Sequence, residues 1–393
     1  MLNQKAIALG SSTNPMRGLF EYSLRRSKVI DPENIFDFSL GNPFIPAPAQ
    51  VNDTIRELLD NTDPLTLHGY TSSIGSYAIR KAVSDDLNQR FQETTTPEEI
   101  YITCGAAPAL TATLRALSIP DAEVIAIAPF FPEYRIFAEE AGLKLVIVPA
   151  KIPSFLPDLD ALRKAINHNT QAIILNSPNN PTGVVYPKET LLALRDLIVD
   201  KITEIGHTVY FISDEPYREL AYGVEVPFLP SIFRDTIVCY SYSKSLSLPG
   251  ERIGYVYVSQ EATEGKRLYA AIAGASRAMG HICAPSLWQG VVARCAGLQP
   301  DLEAYGKNRA LLYEGLTAMG YEVVRPDGAL YLFFKAPGGD SLAFSEAAKQ
   351  RDLLIVPADT FGCPGWIRLA YCIPYEKIAR SLPVFEELLK EFA

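Results

Sequence analysis

Basic charge is in short supply. Lys and Arg total 36 against 45 Asp and Glu, a formal net charge of −9 in 393 residues. A nucleic-acid or anionic-membrane partner needs a basic surface, so this balance argues against both. Histidine is scarcer still: His68, His168, His207 and His281 are the only four, and none neighbours another in sequence. The six cysteines, Cys104, Cys239, Cys283, Cys295, Cys363 and Cys372, form no CxxC pair and stand at no metal-ligand spacing from a histidine. A histidine- or cysteine-based metal site is therefore not expected, and the thiols read as buried, reduced small hydrophobes. Residues 1–18 lack an apolar stretch of signal-peptide length, and nothing later approaches a membrane span, so a cytoplasmic protein is expected. No GxGxxG follows an apolar strand-like run, which sets aside a dinucleotide-dependent dehydrogenase. Low-complexity tracts, long charge runs and repeats are absent too.

What is present is alternation. Short apolar runs such as EVIAIAP (123–129), AIIL and VYFI are separated by amphipathic stretches, the signature of an α/β fold. Strands are expected at 100–104, 123–129, 143–148, 170–176, 209–213, 237–241 and 255–259, with helices at 108–117, 132–141 and 187–205. Near-continuous apolar strands suggest a mainly parallel sheet buried on both faces, and such sheets bind ligands at the carboxyl ends of their strands. After Pro285 the pattern changes to a long helical region (286–320), the strand-like YEVVRPDGALYLFFKA, a helix, DLLIVPA, WIRLAYC and a last helix. The expected organisation is a large domain over 51–285, with 1–50 and 286–393 forming a smaller one.

Three apolar runs end in unusual polar clusters: NSPNNPTG (176–183), SDEPY (213–217) and SYSKSLSLPGERIGY (241–255). Singly, each has a bland explanation. NNPTG suits a turn, Asp214 a helix cap, and Lys244 a solvated surface. Together and in this order, they resemble the class I/II aminotransferases, members of fold type I of the pyridoxal-phosphate enzymes. The resemblance spans essentially the whole chain. Its most specific signals are SxSK followed at eight residues by Arg, and NNPTG upstream of a strand ending in Asp-x-x-Tyr.

The resemblance implies a large domain with a mainly parallel seven-stranded sheet, a smaller α+β domain, and the cofactor pyridoxal 5′-phosphate. It implies that Lys244 forms a Schiff base with the cofactor aldehyde and then acts as the base that moves the substrate's α-proton. Asp214 would face the pyridine nitrogen and keep the ring an electron acceptor. Asn180 and Tyr217 would donate to its phenolic oxygen. The backbone N–H groups of Gly105, Ala106 and Ala107, opening a helix, would hold the phosphate together with Ser241, Ser243 and Arg252. Phe131 would stack on the ring, with Phe130 next to it as the alternative or as core. Tyr70 resembles the tyrosine that reaches a partner subunit's phosphate, which implies a homodimer. Arg368 would clamp the substrate α-carboxylate, a role that strand alternation supports by setting Trp366 and Arg368 opposite Ile367, Leu369 and Tyr371. Gly41 would approach the same carboxylate, and Asn180 would also touch substrate.

One departure concerns Ala107, where some aspartate-using members carry Lys or Thr. Arg17, Arg135 and Arg277 are candidate partners for a distal carboxylate, each more simply read as a surface residue. The implied activity is transfer of an amino group from an L-amino acid, aspartate-like or of broad range, to a 2-oxo acid such as 2-oxoglutarate. The rivals are a carbon–sulfur β-lyase using the same residues and a non-catalytic sensor. The sensor is disfavoured by the acidic charge and the complete set of catalytic residues.

Overall fold

The computed structural model describes residues 2–11 and 15–392. The chain divides into two compact units, one of 45–302 with 327–329, the other of 1–44, 303–326 and 330–393.

The larger unit is built on an eight-stranded sheet. Its spatial order is Ile100–Thr103, Gly254–Val258, Thr236–Ser241, Tyr210–Asp214, Thr170–Asn176, Glu123–Ala128, Lys144–Lys151, Leu156–Pro157. Gly254–Val258 runs antiparallel to both neighbours and Leu156–Pro157 antiparallel to Lys144–Lys151; the other pairings are parallel. Seven of these strands were expected from the apolar runs. The eighth is a two-residue edge addition too short to leave a pattern. Strands such as Glu123–Ala128 and Thr236–Ser241 are buried along their whole length, which is why they read as unbroken apolar runs. Ile173, at 0 % exposure, illustrates the driving force: burial of one such side chain contributes on the order of 2 kcal/mol.

Register brings the functional ends into line. Asn176 pairs with Asp214, Asp214 with Cys239, and both Ser241 and Thr103 with Gly254. The carboxyl ends of four strands thus meet the amino end of Gly254–Val258 on one edge.

The expected helical stretch 286–320 is two helices, Ser286–Cys295 and Leu302–Met319. Between them lies AGLQPD, where Gly297 and Pro300 interrupt regular hydrogen bonding. Val291, Val292 and Cys295 of the first helix share a core with Val51, Ile79 and Val83. That packing puts the helix with the larger unit, where the sequence pattern assigned it to the smaller.

The smaller unit carries a four-stranded antiparallel sheet, Val323–Val324, Tyr331–Lys335, Trp366–Ala370, Val356–Pro357, and a two-residue parallel pair, Phe36–Asp37 with Leu353–Leu354. Ser341–Lys349 and Tyr375–Phe392 pack in the same unit. No helix among the described residues is long and apolar enough to cross a membrane.

Candidate active site

The strand Tyr210–Asp214 ends on a buried acid. Asp214 Oδ2 accepts a 2.5 Å hydrogen bond from the Tyr134 hydroxyl, while its Oδ1 is buried with no hydrogen-bond partner among the described residues. Burial pushes the carboxyl up to about 7; the tyrosine's hydrogen bond acts in the opposite direction, and the charge of Glu215 adds to the rise. The Tyr134 phenol is itself driven well up by burial and by Asp214, so it stays a proton donor.

The neighbouring strand end fixes the Asn-rich loop. Asn176 Nδ2 donates to the Asp214 carbonyl at 2.8 Å, and its Oδ1 accepts from the Asn180 N–H at 2.7 Å. Asn179 Oδ1 accepts from both the N–H and the hydroxyl of Thr182, closing the turn. NNPTG is therefore a turn in geometry, held against Asp214 at its root. Asn180 and Tyr217 are both buried.

A second cluster forms around Gly254. Gly105, at φ +94, precedes the helix Ala106–Ala116, so Ala106 and Ala107 occupy its first turn. The expected start at 108 falls two residues late because a glycine, not a polar side chain, begins this helix. The early N–H groups of a helix have no acceptor within it. A Cβ on Gly105 would lie 2.7 Å from Arg252 Nη2, and one on Gly254 would lie 2.9 Å from Gly105 Cα. Two missing side chains let the loop, the strand and the guanidinium converge. Ser241 caps the single turn Tyr242–Ser245, its Oγ 2.7 Å from Ser243 Oγ, and Arg252 Nη1 approaches Ser243 Oγ at 3.5 Å while donating to the Pro249 carbonyl at 2.9 Å. Arg252 is held at φ +54, a backbone state costing about 1 kcal/mol for a non-glycine residue. Lys244 lies on the capped turn, half-buried.

These two clusters fit pyridoxal phosphate. A buried carboxylate oxygen lacking a partner suits a protonated ring nitrogen. Backbone N–H groups, two hydroxyls and a guanidinium around a cradle that a Cβ would fill suit a phosphate.

Of the aromatic candidates, Phe130 belongs to the core, and Phe131 is half-buried with its ring edge-on to Tyr134 at 5.7 Å. Tyr134, which the sequence reading passed over, is the residue that holds Asp214; its signal was the third aromatic of FFPEY. Tyr70 stands 98 % exposed in the isolated chain and is not brought to either cluster. Arg17, Arg135 and Arg277 are all exposed.

In the smaller unit Arg368 is 1 % exposed, on the central strand Trp366–Ala370 opposite Phe333 and Val356. Its guanidinium lies 4.7 Å from the Tyr331 ring centre and 5.3 Å from that of Phe361, and Nη2 donates to the Ser39 carbonyl. Aromatic faces stabilise a cation away from water and hold its plane. Any Cβ on Gly41 would run into the Tyr331 hydroxyl. Tyr331 thus links two residues singled out from sequence, although nothing in GALY distinguishes it from core.

Comparison with known proteins agrees with this geometry. Residues 33–383 match the family described as aminotransferase class I and II. An aspartate/prephenate aminotransferase of Thermus thermophilus is 30 % identical over 378 residues, covering 93 % of each chain. Among solved structures, an amino transferase from Eubacterium rectale superposes with a TM-score of 0.97 at 50 % identity, over 100 % of this chain and 99 % of that one. The Thermus thermophilus aspartate aminotransferase solved with maleate gives a TM-score of 0.88 at 28 % identity, over 99 % of this chain and 100 % of its own.

Proposed function

The chain belongs to the class I and II aminotransferases and is a pyridoxal-phosphate-dependent transaminase; from that premise we propose that it takes its amino group from aspartate or a broad range of L-amino acids and passes it to a 2-oxo acid such as 2-oxoglutarate. The observation that supports Asp214 as the cofactor's partner is its buried Oδ1, which has no hydrogen-bond partner among the described residues. When bound, pyridoxal phosphate supplies a reactive aldehyde and an electron-accepting ring.

The chain's own groups divide the rest of the work. Lys244 Nζ would hold the cofactor through its aldehyde and, as a free amine, would take up the substrate's α-proton and return it. Asp214 would hold the proton of the ring nitrogen, and Tyr134 fixes Oδ2 of that carboxylate. Asn180 and Tyr217 would donate to the phenolic oxygen. The Gly105–Ala107 backbone, Ser241, Ser243 and Arg252 would hold the phosphate, and Phe131 would stack on the ring. Arg368, with Gly41 of the same unit, would orient the substrate carboxylate.

Aspartate as a donor is supported by the names of the relatives and by maleate, a dicarboxylate, in one of them. Ala107 offers no side-chain group to a distal carboxylate, which favours a broad range over strict aspartate specificity. A homodimer, with Tyr70 reaching the partner, is supported by the near-complete exposure of that aromatic. Cytoplasmic placement is supported by six cysteines that are all free thiols.

A half-reaction panel tests the reading. Each amino acid is added to the holoenzyme and loss of the cofactor's visible absorbance is followed, with products identified. Conversion of aspartate to its 2-oxo acid without free ammonia is the expected result. Pyruvate and ammonia accumulating from cysteine conjugates without an acceptor would overturn it in favour of elimination.

A further inference from the structure

Behind the turn that carries Lys244 lies a buried polar chain with no part in the chemistry above. Tyr240, 2 % exposed on the strand Thr236–Ser241, has its hydroxyl 2.9 Å from Glu219 Oε2 and 2.9 Å from Ser245 Oγ. Glu219 Oε1 accepts from Arg90 Nη1 at 2.7 Å, and Arg90 Nε donates to Asp86 at 2.8 Å. A phenol has one proton and an ionised carboxylate can only accept, so the directions are fixed. Tyr240 donates to Glu219, and its oxygen accepts from the Ser245 hydroxyl. The Tyr240 ring is clamped as well, stacked on Tyr255 at 4.8 Å with the Arg218 guanidinium 4.6 Å from its centre.

Ser245 is the residue after Lys244, on a helical turn of only four residues, Tyr242–Ser245. So short a turn has little intrinsic stability and takes its geometry from its surroundings. Ser241 pins its start and the Ser245–Tyr240–Glu219 chain its end. We propose that Tyr240 and Glu219 are positioning residues for Lys244, acting through Ser245 to hold the turn at the angle from which the lysine reaches the reacting carbon. This rests on the assignment of Lys244 as the proton-transferring base. A buried network fully satisfied at every member rigidifies its surroundings, and small displacements of a catalytic group cost more in rate than in binding.

The test compares Tyr240→Phe, Ser245→Ala and their double variant with wild type as holoenzymes. Tyr240→Phe deletes one oxygen and keeps the stacked ring. Expected are a kcat lowered about tenfold, a KM for the amino donor within about twofold, and a shifted pH midpoint of the bound cofactor's visible absorbance. The double variant should lose no more than the worse single one, because both cut the same link. An unchanged kcat and midpoint in Tyr240→Phe, or additive losses in the double, would overturn the proposal. So would a lowered melting temperature with an unmoved midpoint, the mark of a purely structural role. Ser245→Ala reads the same link should the tyrosine variant fold poorly. Lys244→Ala run in parallel separates the failures: if it keeps its turnover, the assignment of the base is wrong; if it is dead while Tyr240→Phe is normal, only the positioning role falls.

Discussion

Asp214 and Glu215 are adjacent acids, both buried, with opposite surroundings. Glu215 is complete: Ser213 donates to one oxygen at 2.5 Å, and Arg218 Nε to the other at 2.6 Å. Arg218 in turn donates to Tyr255 at 2.9 Å and lies over the Tyr240 ring. Asp214 has one oxygen satisfied and one without a partner among the described residues. Leaving a buried polar atom unpaired costs about 1–3 kcal/mol, more for a charged group. A fold that completes one acid and leaves its neighbour incomplete marks the incomplete one as the binding group. The completed side is scaffold; the unfinished side is the site.

Replacing groups on the unfinished side should damage chemistry with the fold intact, and the largest effect belongs to the lysine. Lys244→Ala should keep the far-UV spectrum and lose at least about a hundredfold in turnover, measured by coupled assay. Near-wild-type rates without added amines would erase the distinction between the two sides. Next comes Arg368→Ala, which should raise KM for every amino acid by about tenfold or more, the scale of a charge-assisted hydrogen bond. Steady-state kinetics with two donors of different side chain show whether the rise is uniform.

The smallest effect is on stability and sharpens the comparison directly. In the cofactor-free protein Asp214 has its carboxyl raised from 3.8 to about 7. The folded state therefore binds a proton that the unfolded state releases. The contribution is fully present below about pH 4 and is lost as pH rises through about 7. Asp214→Asn should flatten that part of the profile, checked by urea unfolding of both cofactor-free proteins between pH 5 and 8. An identical pH slope in the two proteins would mean Asp214 is not the incomplete acid.

The unfinished side was legible in sequence and the scaffold was not. Polar clusters closing apolar strands stand out at Asn176, Asp214 and Lys244 because a buried strand tolerates few other interruptions. Nothing in the sequence marks Arg90 or Glu219, since their pairing joins positions 129 residues apart. Tyr134 and Tyr331 were missed for a related reason: a tyrosine used for its hydroxyl or its face looks like a tyrosine used for its bulk. Seven strands and their mainly parallel pairing followed from the apolar runs, whereas the break at 296–301 and the two-residue strand Leu156–Pro157 carry too little periodicity to announce themselves.

The most direct measurement is borohydride reduction of the holoenzyme followed by peptide mapping. One modified peptide, with the cofactor fixed on Lys244, is the result this account predicts. Cofactor fixed on any other lysine, or a protein that binds no B6 vitamer after reconstitution, would contradict it.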